Sequence, residues 1–400
     1  MQRAIACAIL AKGSSVLLRP SLCDDALAAL GIARALGARV EIGEEAVRVE
    51  SEGLDLGDGT RLVLDCGESG LCLRMFAAIA ALRRGETELQ GRGSLATRRV
   101  GPVEAGLRAL GARATTRGGL PPVVVSGPLE GGPASVDGSA SSQFLTGLLI
   151  ALPLAPRDSL IKVGQLVSAG YVDLTLATMS AFGVGAEGRA GAFLVSGRQA
   201  YRAGVFSVEG DWSAAAFLLV SGALAADSGD ALVVEGLDLA SVQPDRAVLK
   251  ALALAGAAVQ LGPSGISISA KGLRAFAFDA AGCPDLFPPL AALATGCDGV
   301  SRIAGVSRLR NKESDRAAAL CEEFAALGIE VGIEGDTLLV RGGRPRTATV
   351  DARGDHRIAM AAATSALRAE GPVQIEGAEC VAKSYPGFFE ALDTLRRGAS

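Results

Sequence analysis

The densest run of chemically active side chains is RLRNKESDR, residues 308–316, which sets Arg308, Arg310, Lys312, Glu313, Asp315 and Arg316 within nine positions. Only 20% of the sequence is charged. Cations beside a carboxylate suit a bound anion with a proton-transfer group next to it. An Ala-rich stretch follows, so the segment reads as a helix start with Asn311 as its cap. Lys312 and Arg316 then stand four apart on one helix face, with Glu313 one position round. Taken alone, the run is better explained as a solvated helix start laced with surface ion pairs.

What would position such residues is an internal repeat. Helices ending in ALGARV, ALGARA, AFGVGA, LAGAAV and ALGIEV place Gly37, Gly111, Gly183, Gly256 and Gly328 at intervals of 74, 72, 73 and 72 residues. A sixth helix, 388–397, ends at Gly398. These glycines read as left-handed residues that terminate helices. A second series, LVLDCGESG, ASVDGSASSQ, FSVEGDWSA, FAFDAAGCPDL and ATVDARGDHR, leads from strand through polar loop into helices starting near Gly70, Ser142, Asp211, Asp285 and Asp355. Each polar loop aims at a helix N-terminus, a natural anion site, although taken singly each is more often a plain cap.

The repeats predict an α/β fold with mixed α+β sheets. Two similar domains, 1–210 and 211–400, each hold three βαβαββ-type repeats and face each other across a cleft. The first repeat departs from the rest. Residues 1–12, MQRAIACAILAK, read as its helix, with no strand or polar loop ahead of it. The expectation is that this strand and its anion-binding loop are missing.

Composition excludes several classes. Net charge is −4, which gives no basic field for nucleic acid or a membrane surface, and 4% aromatic residues argue against base stacking. The single histidine excludes a His-rich metal site, and the eight cysteines form no CxxC pair, which points to free thiols in a reducing compartment. With neither a signal peptide nor a membrane span legible, a soluble cytoplasmic protein is expected.

These motifs together identify a family. GESGLCLR (67–74), GSLATRR (93–99), SSQFLTGLL (141–149), SAGYVDLTLATMSAFGV (168–184), EGDWSAAAF (209–217), CPDL (283–286), RLRNKESDR, DHRIAM (355–360) and AKSYPGFF (382–389) run in family order along the chain. The sequence resembles the 5-enolpyruvylshikimate-3-phosphate synthase (3-phosphoshikimate 1-carboxyvinyltransferase) family.

The resemblance implies transfer of the enolpyruvyl group of phosphoenolpyruvate to the 5-hydroxyl of 3-phosphoshikimate, by addition and then elimination of phosphate. This is a step of aromatic amino-acid and chorismate biosynthesis. It implies no metal or organic cofactor, no nucleic-acid or membrane partner, and a monomer. By motif match, Gly70, Arg98, Gln143, Arg316, Arg357 and Lys383 would hold phosphoenolpyruvate. Arg3, Ser141, Ser142, Gln143, Ser168, Asp285 and Lys312 would hold 3-phosphoshikimate. Asp285, Glu313 and Lys383 would be catalytic, with Asp285 favoured as base, and Asp355 and His356 would orient the site. Asp285 alone reads as a helix cap, and His356 as an ordinary buried histidine held by Asp355.

Three departures stand out. The family's opening PxSKS loop is absent, Glu68 and Leu71 replace the common asparagine and threonine, and Arg308 stands where asparagine or glutamate is common. A carboxylate at Glu68 disfavours an anionic substrate unless it is paired or turned away. Rival readings are an enolpyruvyl transferase for another acceptor, such as a UDP-sugar, and an inactive anion-binding paralogue. The missing loop predicts slow turnover for the chain as given, restored by orders of magnitude when an upstream strand with a lysine-serine loop is added. Steady-state rates of the two lengths check this, and full turnover of the 400-residue form refutes it.

Overall fold

The glycine series does mark helix ends. In a computed structural model describing residues 1–54, 59–139, 141–189, 191–225, 231–263, 265–270 and 272–397, Gly37, Gly111, Gly183, Gly256 and Gly328 take φ of +97°, +94°, +81°, +88° and +80°. Each directly follows the C-cap of its helix. A Cβ would strain the backbone there, so glycine is the residue that lets the chain leave the helix and turn into the next strand. Gly398 lies outside the described residues.

The chain forms two units, Met1–Val208 and Glu209–Ser400. The first holds helices α1 (Gln2–Leu10), α2 (Asp24–Ala35), α3 (Gly70–Ala80), α4 (Val103–Ala109), α5 (Gln143–Ala151) and α6 (Ala169–Ala181). The second holds α7 (Trp212–Ala225), α8 (Val248–Leu254), α9 (Phe287–Thr295), α10 (Arg316–Ala326), α11 (His356–Ala366) and α12 (Phe388–Arg397). Even-numbered helices α2 to α10 are those closed by the glycine series. Odd-numbered helices α3 to α11 follow the strand-and-polar-loop segments, as the second sequence series predicts. Residues 1–12 are helical only to Leu10, because Lys12 already opens the strand Lys12–Leu18.

The sheets are mixed. Gly59–Asp65 runs parallel to Gly85–Gln90, which pairs antiparallel with Leu120–Ser126, which in turn pairs antiparallel with Arg113–Arg117. The same order recurs for Pro133–Asp137, Ser159–Gly164, Ala192–Val195 and Glu187–Arg189. It recurs again in the second unit for Ala277–Asp279, Val300–Ala304, Thr337–Arg341 and Val331–Glu334. In the sheet around Lys12–Leu18 the parallel place is taken by Val205–Ser207, the strand that leads on to α7.

The odd-numbered helices form the core of each unit. Their sequences are apolar nearly all round, as the burial of almost every residue of α3 and α5 requires. Small residues let them approach closely. A Cβ on Gly147 of α5 would lie 2.7 Å from the Met75 carbonyl oxygen and 2.8 Å from Met75 Cα on α3. In the second unit, Trp212, the single tryptophan, is fully buried at the start of α7. Its indole N–H donates to the Asp238 carbonyl and its backbone N–H to Gln243 Oε1. All eight cysteines are free thiols, with Cys321 and Cys380 half-buried and the rest buried. Among the described residues, no helix is long and apolar enough to cross a membrane.

Gly147→Ala gains up to about 1 kcal/mol of helix propensity, but overpacking against rigid backbone costs about 1–3 kcal/mol. Urea unfolding is expected to show a net loss for Gly147→Ala and a larger one for Gly147→Val. A gain for either variant would mean that α3 and α5 separate without cost.

Candidate active site

In the first unit, three helix starts carry the polar groups. Ser69 caps α3, its hydroxyl accepting from Cys72 N and from Gln2 Nε2. That leaves Gly70 as the first helical residue. A Cβ there would sit 2.8 Å from Arg74 Nη1 and 3.4 Å from both Arg98 Nη1 and Gln143 Oε1. Gly70, Arg98 and Gln143 are thus one cluster, with a bare backbone at its centre. Arg98 is placed by the short 3-10 turn Gly93–Thr97 that precedes it, anchored by the buried Leu95. Ser141 Oγ accepts from Gln143 N, and the buried Ser142 is the N-cap of α5. Ser168 is the buried N-cap of α6. Arg3 reaches the first turns of α6, donating from Nε to Thr175 Oγ1 at 2.9 Å and from Nη2 to the Tyr171 carbonyl at 3.4 Å.

Two residues of this unit have roles the motif comparison did not assign. Arg74 is buried and donates to Gly70 O, Gln143 Oε1, Val100 O and Arg99 O. It therefore binds the α3 start, the α5 start and the Arg98 loop together. Its position four residues after Gly70 was the available signal, since helical side chains lean back toward the N-terminus. Glu68 answers the question its charge raised. Its Oε2 accepts from Ser94 N at 3.0 Å and Ser94 Oγ at 2.7 Å, so the carboxylate caps the 3-10 turn.

In the second unit, Asp285 lies in the 3-10 turn Pro284–Leu286 before α9, and its carboxylate caps neither helix. It pairs with Arg316 Nη1 at 3.1 Å, Arg357 Nη2 at 3.3 Å and Lys312 Nζ at 3.4 Å. Arg316 is completely buried and distributes its donors over three carboxylates. Nε and Nη2 reach Asp355 at 2.9 and 3.2 Å, while Nη2 also reaches Glu313 at 2.7 Å. Lys383, ending the 3-10 segment Ala378–Lys383, lies 3.8 Å from Glu313. Asp355 caps α11 through Arg357 N and accepts from Ser314 Oγ. One network therefore joins Asp285, Lys312, Glu313, Arg316, Asp355, Arg357 and Lys383. Arg357 Nη1 in the network and Nδ1 of the adjoining His356 are buried and have no hydrogen-bond partner among the described residues.

The helix start is not where the sequence put it. α10 begins at Arg316, capped by Asp315, whose carboxylate accepts from Ala318 N at 3.2 Å. Asn311 is not its cap, and Lys312 and Glu313 stand in the preceding loop rather than on a helix face. Tertiary partners hold that loop: Lys312 turns to Asp285, Ser314 to Asp355.

Electrostatics follow from burial and the surplus of cations. Burial alone would raise the Asp285 carboxyl, but Arg357, Lys312 and Arg316 outweigh it and hold it well below the usual range. Asp355 is likewise raised by burial and pulled below its ordinary value by Arg316. Burial lowers the Lys312 ammonium, with Asp285 partly restoring it. Burial and the neighbouring Arg357 bring His356 down to about 4, so the imidazole is neutral at pH 7 and suits an orienting role.

The site thus gathers four cations around three carboxylates, and the whole chain can be compared with known proteins. Residues 1–392 match the family model of EPSP synthase (3-phosphoshikimate 1-carboxyvinyltransferase). The chain belongs to this family. It is 38% identical to the 3-phosphoshikimate 1-carboxyvinyltransferase of Methanocorpusculum labreanum over 98% of this chain and 93% of the relative. It is 40% identical to that of Aeropyrum pernix over 97% and 89%. Its fold superposes on EPSP synthase from Acinetobacter baumannii with a TM-score of 0.82 and 25% identity, covering 98% of this chain and 92% of that one. The chain is accordingly a transferase of the shikimate pathway.

Asp355 supplies the clearest stability test. Removing one partner of a buried pair costs about 3–5 kcal/mol, so Asp355→Asn should lose that much in urea unfolding at pH 7. The Asp355 and Asp285 carboxyls lie lower in the folded protein than in the unfolded one. Their stabilisation is therefore complete above the unfolded carboxyl value, about 4, and falls away as pH drops below it. Asp355→Asn should flatten that acid limb, and an unchanged slope would contradict the depressed value.

Proposed function

We propose that the chain works as a cytoplasmic monomer and that the second-unit network performs the proton transfers of enolpyruvyl transfer from phosphoenolpyruvate to 3-phosphoshikimate. The observation carrying this reading is the gathering of Lys312, Arg316, Arg357 and Lys383 around Asp285 and Glu313, with Arg357 Nη1 buried and unpartnered among the described residues. A buried cationic donor left open is costly unless an anion completes it. Phosphoenolpyruvate brings a carboxylate and a phosphate, and 3-phosphoshikimate a second phosphate.

In this reading Arg357, Arg316, Lys383, Arg98, Gln143 and the backbone at Gly70 hold phosphoenolpyruvate. Arg3, Ser141, Ser142, Gln143, Ser168 and Lys312 hold 3-phosphoshikimate. Asp285 takes the proton of the 5-hydroxyl as its oxygen attacks C2 of the enol. Glu313, with Lys383 beside it, delivers a proton to C3; the tetrahedral adduct then loses phosphate while one C3 proton returns to Glu313, which restores the double bond. Asp355 fixes Arg316 and the start of α11.

The cations that surround Asp285 make it a feeble base while they act on it alone. Anionic substrate on Arg357 and Lys312 would screen those charges and raise its basicity. Substrate binding and base activation are then one event, which suits ordered use of the carboxylate.

Glu313→Gln keeps the shape and a hydrogen-bond acceptor for Arg316 but removes the transferable proton. It is expected to lower kcat by about 100-fold or more while leaving the KM of both substrates nearly unchanged. An unaltered kcat would remove Glu313 from the chemistry.

A further inference from the structure

A buried carboxylate outside this network lies on the same helix as Arg316. Glu323 is seven residues further along α10, two turns away and on the same buried face. It is 6% exposed. Its Oε2 accepts from Asp351 N at 3.0 Å and its Oε1 from Arg353 Nε at 2.8 Å. Arg353 also pairs with Glu322. The segment held in this way, 351–355, is the DARGD loop that ends in Asp355 and delivers His356 and Arg357 at the start of α11.

The loop's backbone does not hold this shape for nothing. Arg353 takes φ of +54° and Gly354 +65°. A left-handed arginine is disfavoured by a side chain that glycine lacks, so surrounding contacts must impose it. Those contacts are visible. Arg353 N donates to Asp351 Oδ1, Ala352 N to the Glu376 carbonyl, and Arg353 Nε to Glu323. The far end of the loop is gripped by Arg316 through Asp355. α10 thus clamps the loop at two points, with Glu323 at its beginning and Arg316 at its end.

We propose that Glu323 is a positioning residue for phosphoenolpyruvate capture, acting through Arg353 and the 351–355 loop to aim the Arg357 guanidinium. This rests on the functional reading above, in which Arg357 and Arg316 hold that substrate. Glu323 touches no reacting atom in that reading. Its effect is selective because both elements it joins, α10 and the α11 start, present phosphoenolpyruvate ligands.

The test uses the full chain carrying Glu323→Ala, Glu323→Gln or Arg353→Gly, with thermal melts, steady-state kinetics for both substrates, and calorimetric binding of phosphoenolpyruvate in saturating 3-phosphoshikimate. Glu323→Ala is expected to raise the phosphoenolpyruvate KM and Kd by about 10- to 100-fold, the scale of a misplaced binding group, with the 3-phosphoshikimate KM moving by less than about twofold. Glu323→Gln keeps an acceptor for Asp351 N and should recover most of the loss. Arg353→Gly accepts the left-handed backbone, keeps the Glu323–Asp351 bond, and should fall between.

A folded Glu323→Ala with unchanged phosphoenolpyruvate affinity overturns the proposal, as does an equal rise for both substrates. If Glu323→Ala fails to fold, Arg353→Gly decides by the same selectivity, and unchanged phosphoenolpyruvate affinity in it overturns the proposal. Absence of turnover in the unmutated chain would count against the functional reading instead, and the calorimetry would still judge the role of Glu323.

Discussion

The second unit depends on a guanidinium with no exposed surface. Arg316 is buried completely, and a charge so placed is tolerated only when its donors are matched. Asp355, Glu313 and Asp285 match them, each from a different segment: the α11 cap, the loop before α10, and the turn before α9. The requirement to satisfy one planar ion therefore fixes three chain segments at once. A lysine there would keep the charge and lose the fork that reaches all three. The proposed proton-transfer residues and anion ligands are adjacent for this reason, since Asp285 and Glu313 are two of the three acids that neutralise Arg316.

Charge balance explains why the arrangement suits anions. Lys312, Arg357 and Lys383 surround the same acids that Arg316 occupies, and among the described residues the buried Arg357 Nη1 has no acceptor. The first unit reaches a similar end by other means. There, helix starts and a bare glycine backbone carry the polarity, with Arg74 behind them as a brace and Glu68 turned to cap a turn. Glu68 shows how a replacement that looks hostile to a substrate is absorbed by a neighbouring serine.

Much of this was legible because it is written in backbone chemistry. A glycine that must be left-handed leaves the same mark in every repeat, and Gly37 through Gly328 gave both helix ends and repeat length. Ser142, Asp211 and Asp355 marked helix starts because caps are local. Residues whose conformation is set from elsewhere were misread. Asn311 and Asp315 are both good cap types, and local preference does not choose between them. The choice falls to Asp285 and Asp355, which draw Lys312 and Ser314 out of a helical path. Asp285 was similarly ambiguous as a helix cap until its partners on α10 and α11 were in view. Arg74 and Glu323 were overlooked because their importance lies in contacts 69 and 28 residues away in sequence.

The burial of Trp212 has an optical consequence. It is the chain's single tryptophan, enclosed in the second unit with its indole N–H tied to the Asp238 carbonyl. Tryptophan emission from this protein therefore originates in one half of the molecule only. The molecule carries its own site-specific label, whose colour reports the packing at the start of α7.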